Sequence, residues 1–190
     1  MKIEKEHPYW HVRSVLAPHK ADITKLNFSY YNYLPQSLTD IRTHIPVKID
    51  SFYEEDQISA IMSLAPENHE VAIHSTIDMK SGHTLHLPMV DMSTQSTARL
   101  KKLQPFLAEN SMSDFYWYNS GRSYHGYGTN LIDTETWIEL MGIFLLANPI
   151  NEPPTVDPRW IGHRLIAGYS ALRWTKNTAH YKKQPSKILA

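Results

Sequence analysis

The sequence predicts an α+β fold, an antiparallel or mixed sheet assembled from hairpins with helices packed against it. Two strand–turn–strand patterns support this, one around Ser81-Gly82 and one around Ser120-Gly121. Apolar runs flanking a Gly-containing turn are the hairpin signal. Each pattern is followed by apolar residues at helical spacing. From residue 70 onward the order is hairpin, helix, hairpin, helix, helix, which is the arrangement of an α+β domain.

The first seventy residues are less regular. The aromatic stretch 27–34 (NFSYYNYL) reads as a strand, and residues 38–43 and 54–64 read as helices. In the second of these, Ile58, Ile61, Met62 and Ala65 recur at helical spacing. Residues 71–79 and 83–92 read as one hairpin. With Ser81-Gly82 as a two-residue turn, Asp78 faces Leu85 and Asp91 faces Ala72, with Glu70 the nearest diagonal acid. Ser93 or Thr94 caps a helix over about 95–109, which Pro105 kinks.

Residues 115–118 and 124–128 pair as the second hairpin. Asp133 or Thr134 caps a helix whose apolar face is Trp137, Leu140, Met141, Phe144 and Leu145, and Asn148-Pro149 stops it. The proline-rich segment 148–158 is an extended connector, and a last helix spans 159–172. The whole chain, 1–190, is expected to be a single domain: an N-terminal helical and strand extension (1–69) and a motif-bearing core (70–187).

Composition excludes several chemistries. Without cysteine there is no disulfide scaffold, thiolate zinc site, iron–sulfur ligation or cysteine nucleophile, and the cytoplasm is the expected compartment. The longest apolar run, residues 140–147, falls well short of the roughly 18 residues of a membrane span, so no membrane partner is expected. The N-terminal MKIEKEHPYW lacks the apolar core of a signal peptide. No Walker lysine loop, dinucleotide glycine fingerprint or nucleophile elbow occurs.

The net charge of zero conceals an asymmetry: residues 1–95 sum to −4 and residues 96–190 to +4. After Asp157 seven basic residues follow without an acid. Such a split suits an anionic ligand on the basic side, or else a solvated basic tail.

Three stretches end apolar strands or connectors in polar groups suited to metal or phosphate. LHLPMVDMS places Asp91 near the end of a buried strand. YNSGRSYHGYG follows a glycine turn with Ser123 and His125, which alternate and share one strand face. TVDPRWIGHRL sets Asp157 before a basic helix. Each residue also has a structural reading. Asp91 could be a strand-end acid, His125 a half-buried strand histidine, and Asp157 a helix cap ahead of Pro158.

The ordered set resembles the archaeo-eukaryotic primase superfamily, and within it the small primase 1D-like proteins. That signature is an acidic strand end, a Ser-x-His motif in a glycine turn, and a later aspartate. Here these match Asp91, SGRSYH (residues 120–125) and Asp157, and LRWTKN (172–177) resembles the family's trailing basic segment. The resemblance implies an RRM-like catalytic core and metal-dependent nucleotidyl transfer. Asp91, His125 and Asp157 would be catalytic, with Asp91 and Asp157 holding Mg²⁺ or Mn²⁺. Ser120, Arg122, Ser123 and His125 would bind the nucleotide, and Arg173, Trp174 and Lys176 the nucleic acid.

Expected partners are a nucleoside triphosphate, DNA or RNA, and replication or defence-system proteins. One departure stands out: Ser93 occupies the second acidic position of the first motif. Two alternatives therefore stay open, a catalytically inactive subunit that binds nucleotide or nucleic acid, and an interaction module using the basic C-terminal region. His83 and His86, three apart on a strand, point to opposite faces and do not suggest a metal site. His163 is expected to face solvent, and Trp117, Trp137 and Trp160 to lie in the core.

Overall fold

The computed structural model describes residues 2–110 and 114–188, arranged as two antiparallel sheets that share one core. The chain enters through α1 (Pro8–Leu16), begun by His7, whose ring accepts the Tyr9 N–H, and by Pro8 in the first turn. A 3₁₀ turn (Ala17–His19) leads into β1 (Ile23–Tyr31). Next come β2 (Arg42–Lys48), α2 (Ile49–Tyr53), α3 (Glu55–Ser63) and β3 (Glu70–Met79). The short strands β4 (Thr84–His86) and β5 (Met89–Asp91) follow, then α4 (Thr97–Asn110), β6 (Phe115–Asn119) and β7 (Tyr124–Gly128). The chain closes with α5 (Thr134–Leu146), α6 (Pro158–Ala167), β8 (Ala171–Arg173) and β9 (Ser186–Lys187).

The first sheet runs β2-β1-β3, and the far edge of β3 is shared: β8 pairs with Ala72–His74, and β4 with Thr76–Asp78. The second sheet runs β5-β7-β6-β9. Met89, Tyr118 and Tyr127 turn one face of this second sheet into the core beneath the first. Trp174 lies at the centre of that core, its ring 5.2 Å from Phe28 and 5.1 Å from His7, and its indole N–H donates to the Tyr127 hydroxyl. On the other face Val90, Trp117 and Tyr124 pack with α4, α5 and α6 into a second cluster.

The α+β expectation is met, and several elements differ in detail. Residues 83–92 are not one strand. The chain stays on the first sheet through Leu87, whose N–H donates to the Ser75 carbonyl, passes Pro88, and joins the second sheet at Met89. Proline has no N–H for a ladder, so Pro88 breaks the pairing and the two halves serve different sheets. Asp91 consequently faces His125 and not Ala72, whose partners are Ser29 and Arg173. The turn at 80–83 is longer than two residues, with the Met79 N–H bonded to the His83 carbonyl, so Asp78 faces Thr84 instead of Leu85.

Residues 38–43 form no helix. Leu38 and Ile41 are more than four-fifths exposed, so nothing buries an apolar helical face there, and Arg42 and Thr43 begin β2. The last helix stops at Ala167 because Gly168 takes φ +78°, and residues 171–173 become a strand against β3. Ser96, whose hydroxyl accepts the Arg99 N–H at 3.3 Å, caps α4 in place of Ser93 or Thr94. Leu145 is 45% exposed and falls outside the buried face of α5. The N-terminal residues are not peripheral to the sheet, since β1 lies between β2 and β3. Among the described residues, no helix is long and apolar enough to cross a membrane.

Glu70 is fully buried and fastens the C-terminal segment. Its carboxylate accepts the hydroxyls of Thr175 and Thr178 and the N–H groups of Asn177 and Thr178. Gly126 is equally constrained, because a Cβ there would lie 2.6 Å from Val90 Cγ1 and 2.9 Å from Trp117 Cζ3. Gly126→Ala is therefore expected to cost about 1–3 kcal/mol of overpacking strain, read as a lower melting temperature and denaturation midpoint.

Candidate functional site

Asp91 ends β5 with its backbone held on both sides. On one side β5 pairs with β7, setting Asp91 opposite His125. On the other, the connector runs beside the strand's continuation. The Asp157 N–H donates to the Asp91 carbonyl at 3.0 Å, and the Ser93 N–H to the Thr155 carbonyl at 2.9 Å. The second and third motifs are thus brought to the first by main-chain hydrogen bonds.

The SGRSYH turn has its own construction. Asn119 Oδ1 accepts the Gly121 N–H at 2.9 Å, and the Ser120 N–H donates to the Ser123 carbonyl at 3.0 Å. Gly121 sits at φ +106°, and a Cβ would approach the Lys183 backbone nitrogen to 3.2 Å, so the position needs glycine. Beneath the turn Arg173 donates to the carbonyls of Ser120, Lys183 and Thr175, and its guanidinium lies 3.9 Å over the Tyr181 ring. The turn thereby presents Arg122 at the surface and directs Ser123 at Asp91, with the Ser123 hydroxyl donating to Asp91 Oδ1 at 3.2 Å.

His125 Nε2 lies 3.6 Å from the same carboxylate oxygen. Burial, and then the nearby Asp157 charge, push the Asp91 carboxyl up to about 7, against the opposing pull of Ser123 and Arg173. Burial, and secondarily the Arg173 charge, hold the His125 imidazole well below its ordinary value. Both shifts favour neutral forms, so the pair is a neutral histidine beside a readily protonated acid and not an ion pair. His125 Nδ1 is buried with no hydrogen-bond partner among the described residues.

Asp91, Ser120, Arg122, Ser123, His125, Asp157 and Arg173 all line one cleft. Two of the anticipated nucleic-acid residues do not. Trp174 has no exposed surface, so its ring is unavailable to a base, and Lys176 is exposed outside the cleft. Arg173 is only 4% exposed and donates to protein carbonyls, so it positions the turn. His163 lines the cleft with its Nε2 3.2 Å from the Ser37 carbonyl, contrary to the expected solvent-facing position.

Tyr31, Asp40, Arg42, Arg164 and Tyr181 line the same cleft and were not anticipated from sequence. The basic run after Asp157 was a signal for Arg164, and nothing local marks Asp40 or Arg42.

Asp157 Oδ1 accepts the N–H groups of Arg159 and Trp160, and Asp91 Oδ1 accepts Ser123, leaving one oxygen of each carboxylate without a hydrogen bond among the described residues. Two carboxylates, with remaining positions filled by water and substrate phosphate, are a usual set for Mg²⁺. A third ligand is missing: no group of three or more metal-capable side chains occurs among the described residues. Ser93 donates its hydroxyl to the Pro154 carbonyl, a bond an ionised carboxylate could not donate. Glu70, the other acid considered from sequence, is committed to the C-terminal segment.

The cleft of this α+β chain thus joins a strand-end acid, a Ser-x-His turn and a helix-capping acid. The family model for archaeo-eukaryotic primase 1D-like proteins matches residues 50–186. The chain belongs to that family. No curated protein and no solved structure matches it.

A raised Asp91 pKa carries a stability consequence. The group titrates near 3.8 when unfolded and near 7 when folded, so the folded state retains a proton that the unfolded state has lost between those values. Its contribution is fully present below pH 4 and is lost as pH rises through 7. The upper bound is on the order of 4 kcal/mol, reduced by the partial solvent exposure of the side chain. Denaturant titrations are expected to show the native protein losing stability relative to Asp91→Asn between pH 4 and 7. Parallel profiles would show that the carboxyl is not shifted.

Proposed function

We propose that the cleft binds a nucleoside triphosphate together with one divalent cation and transfers the nucleotide to the 3′ hydroxyl of a DNA or RNA strand. The observation that carries this reading is the convergence of Asp91, His125 and Asp157, from three separate segments, on one cleft. Asp91 and Asp157 offer the hard oxygen ligands, while Ser123 and the neutral His125 offer hydrogen bonds to phosphate oxygens. Exposed Arg122 offers a guanidinium fork to the same triphosphate. When bound, the cation would lower the charge barrier between the attacking hydroxyl and the α-phosphate. A bond forms from the 3′ oxygen to the α-phosphorus, the bond to the bridging oxygen breaks, and pyrophosphate leaves as the hydroxyl proton passes to solvent.

A second reading is nucleotide binding without turnover. Ser93 specifically favours it, because its hydroxyl bonds the connector where the family pattern has an acid. In both readings Trp174 stays in the core, and contacts to a nucleic-acid strand fall to exposed basic residues such as Lys182 and Lys183 beside the SGRSYH turn.

Calorimetric titration with a nucleoside triphosphate and Mn²⁺ is expected to show binding that His125→Ala weakens about tenfold, the equivalent of one lost hydrogen bond near 1.4 kcal/mol. Asp91→Ala is expected to abolish its dependence on Mn²⁺. Extension of a primed template separates the readings, since transfer requires a product that Asp91→Ala eliminates, whereas simple binding yields none. Absence of any nucleotide binding at low salt would sink both.

A further inference from the structure

The cleft also holds two arginines that share one carboxylate, Arg164 fully buried and the Arg42 side chain 9% exposed. Arg42 comes from the start of β2 and Arg164 from α6, and both reach Asp40 Oδ2: Arg42 Nε at 2.8 Å and Arg164 Nη2 in close contact. Arg42 is fixed on its other sides by a hydrogen bond to Ser29 Oγ at 3.0 Å and by the Tyr31 ring, 4.3 Å from its guanidinium carbon. Arg164 is 2% exposed, and its Nε and Nη1 have no hydrogen-bond partner among the described residues. Its guanidinium carbon is otherwise 5.5 Å from the centre of the Tyr169 ring. Two guanidinium charges against one carboxylate leave a buried positive charge without a counterion, and spare N–H groups without acceptors. Both are costly in a protein interior.

We infer that Arg42 and Arg164 form a binding site for a terminal phosphate, and that Asp40 is its built-in occupant, displaced when the ligand arrives. A phosphomonoester dianion matches the two arginine charges, and its three terminal oxygens can accept the N–H groups that Asp40 leaves unmet. Asp40 can move because it belongs to the segment joining β1 to β2, residues 32–41, which contains no helix or strand. That segment leans on α6 through the Ser37 carbonyl, which accepts from Arg159 Nη2 at 2.6 Å and approaches His163 Nε2 at 3.2 Å. Phosphate binding therefore releases one of the attachments that hold the segment over the cleft. The site is built from other residues of the cleft that Ser123 and His125 also line, and the inference does not depend on the nucleotide reading.

Calorimetric titration with inorganic phosphate at low ionic strength tests the assignment. Asp40→Asn removes the competing charge and is expected to tighten phosphate binding at least tenfold. Adding Arg42→Gln to that variant is expected to abolish the gain, while adding His125→Ala leaves it in place. No gain in Asp40→Asn, or a gain that survives Arg42→Gln or vanishes with His125→Ala, would overturn the proposal. If Asp40→Asn fails to fold, hydrogen exchange on the native protein decides. Saturating phosphate is expected to raise exchange in residues 32–41, and unchanged or slower exchange there refutes displacement of Asp40. Competition then identifies the source of the phosphate. Displacement by a 5′-phosphorylated oligonucleotide and not its 5′-hydroxyl counterpart assigns a strand end, and displacement by a nucleoside triphosphate and not the nucleoside assigns a nucleotide. Failure of both phosphate-bearing competitors refutes the assigned ligand class.

Discussion

Residues 91–93 pair on both sides at once, and the candidate site depends on it. One edge of this backbone meets β7, which carries the Ser-x-His turn, and the other meets the connector that ends in Asp157. Each contact is ordinary main-chain hydrogen bonding, individually worth on the order of 1 kcal/mol. Together they fix three polar side chains whose separation in sequence reaches 66 positions, from Asp91 to Asp157. The packing around this stretch protects the arrangement. Gly126 lets Val90 and Trp117 close over β7, and Arg99 of α4 reaches the Pro153 carbonyl and Glu152 to hold the connector.

The electrostatics of the cleft follow from that arrangement. Burial, and secondarily the nearby Asp157 charge, raises Asp91, while burial and then Arg173 keep His125 neutral. Buried arginines surround these groups, some serving carbonyl oxygens, as Arg173 does, and others sharing an acid, as Arg42 and Arg164 do. Removing charges from water without full pairing opposes folding. Clusters of that kind are more typical of ligand sites than of plain structural cores.

Legibility in the sequence varied with the range of the interactions concerned. The second hairpin, the α5 cap at Asp133 and the helix at 55–63 were readable because turn chemistry, capping and apolar spacing are local. The break within 83–92 is not legible in the sequence, because only the existence of a second sheet explains why the chain changes partners at Pro88. Ala171 and Leu172 suit a helix in isolation, yet Gly168 ends the helix and β3 offers an open edge to pair with. Trp174 looked like a stacking platform because basic residues flank it. Its backbone continues β8 through the Trp174 N–H bond to the Val71 carbonyl, however, so its ring is held in the core, whereas Lys176 lies beyond the strand and reaches solvent.

By itself, then, the sequence determined the α+β class, the order of the motifs and the identity of Asp91, His125 and Asp157 as candidates, because these rest on residue type and short spacing. Only the tertiary structure decided that the three meet in one cleft, that Arg173 supports the turn from below, and that Asp40, Arg42 and Arg164 line the same cleft. Those facts depend on strand order and on which edge each segment finds. Such long-range pairings are selected by burial and hydrogen bonding over the whole chain, and no local pattern of residues encodes them.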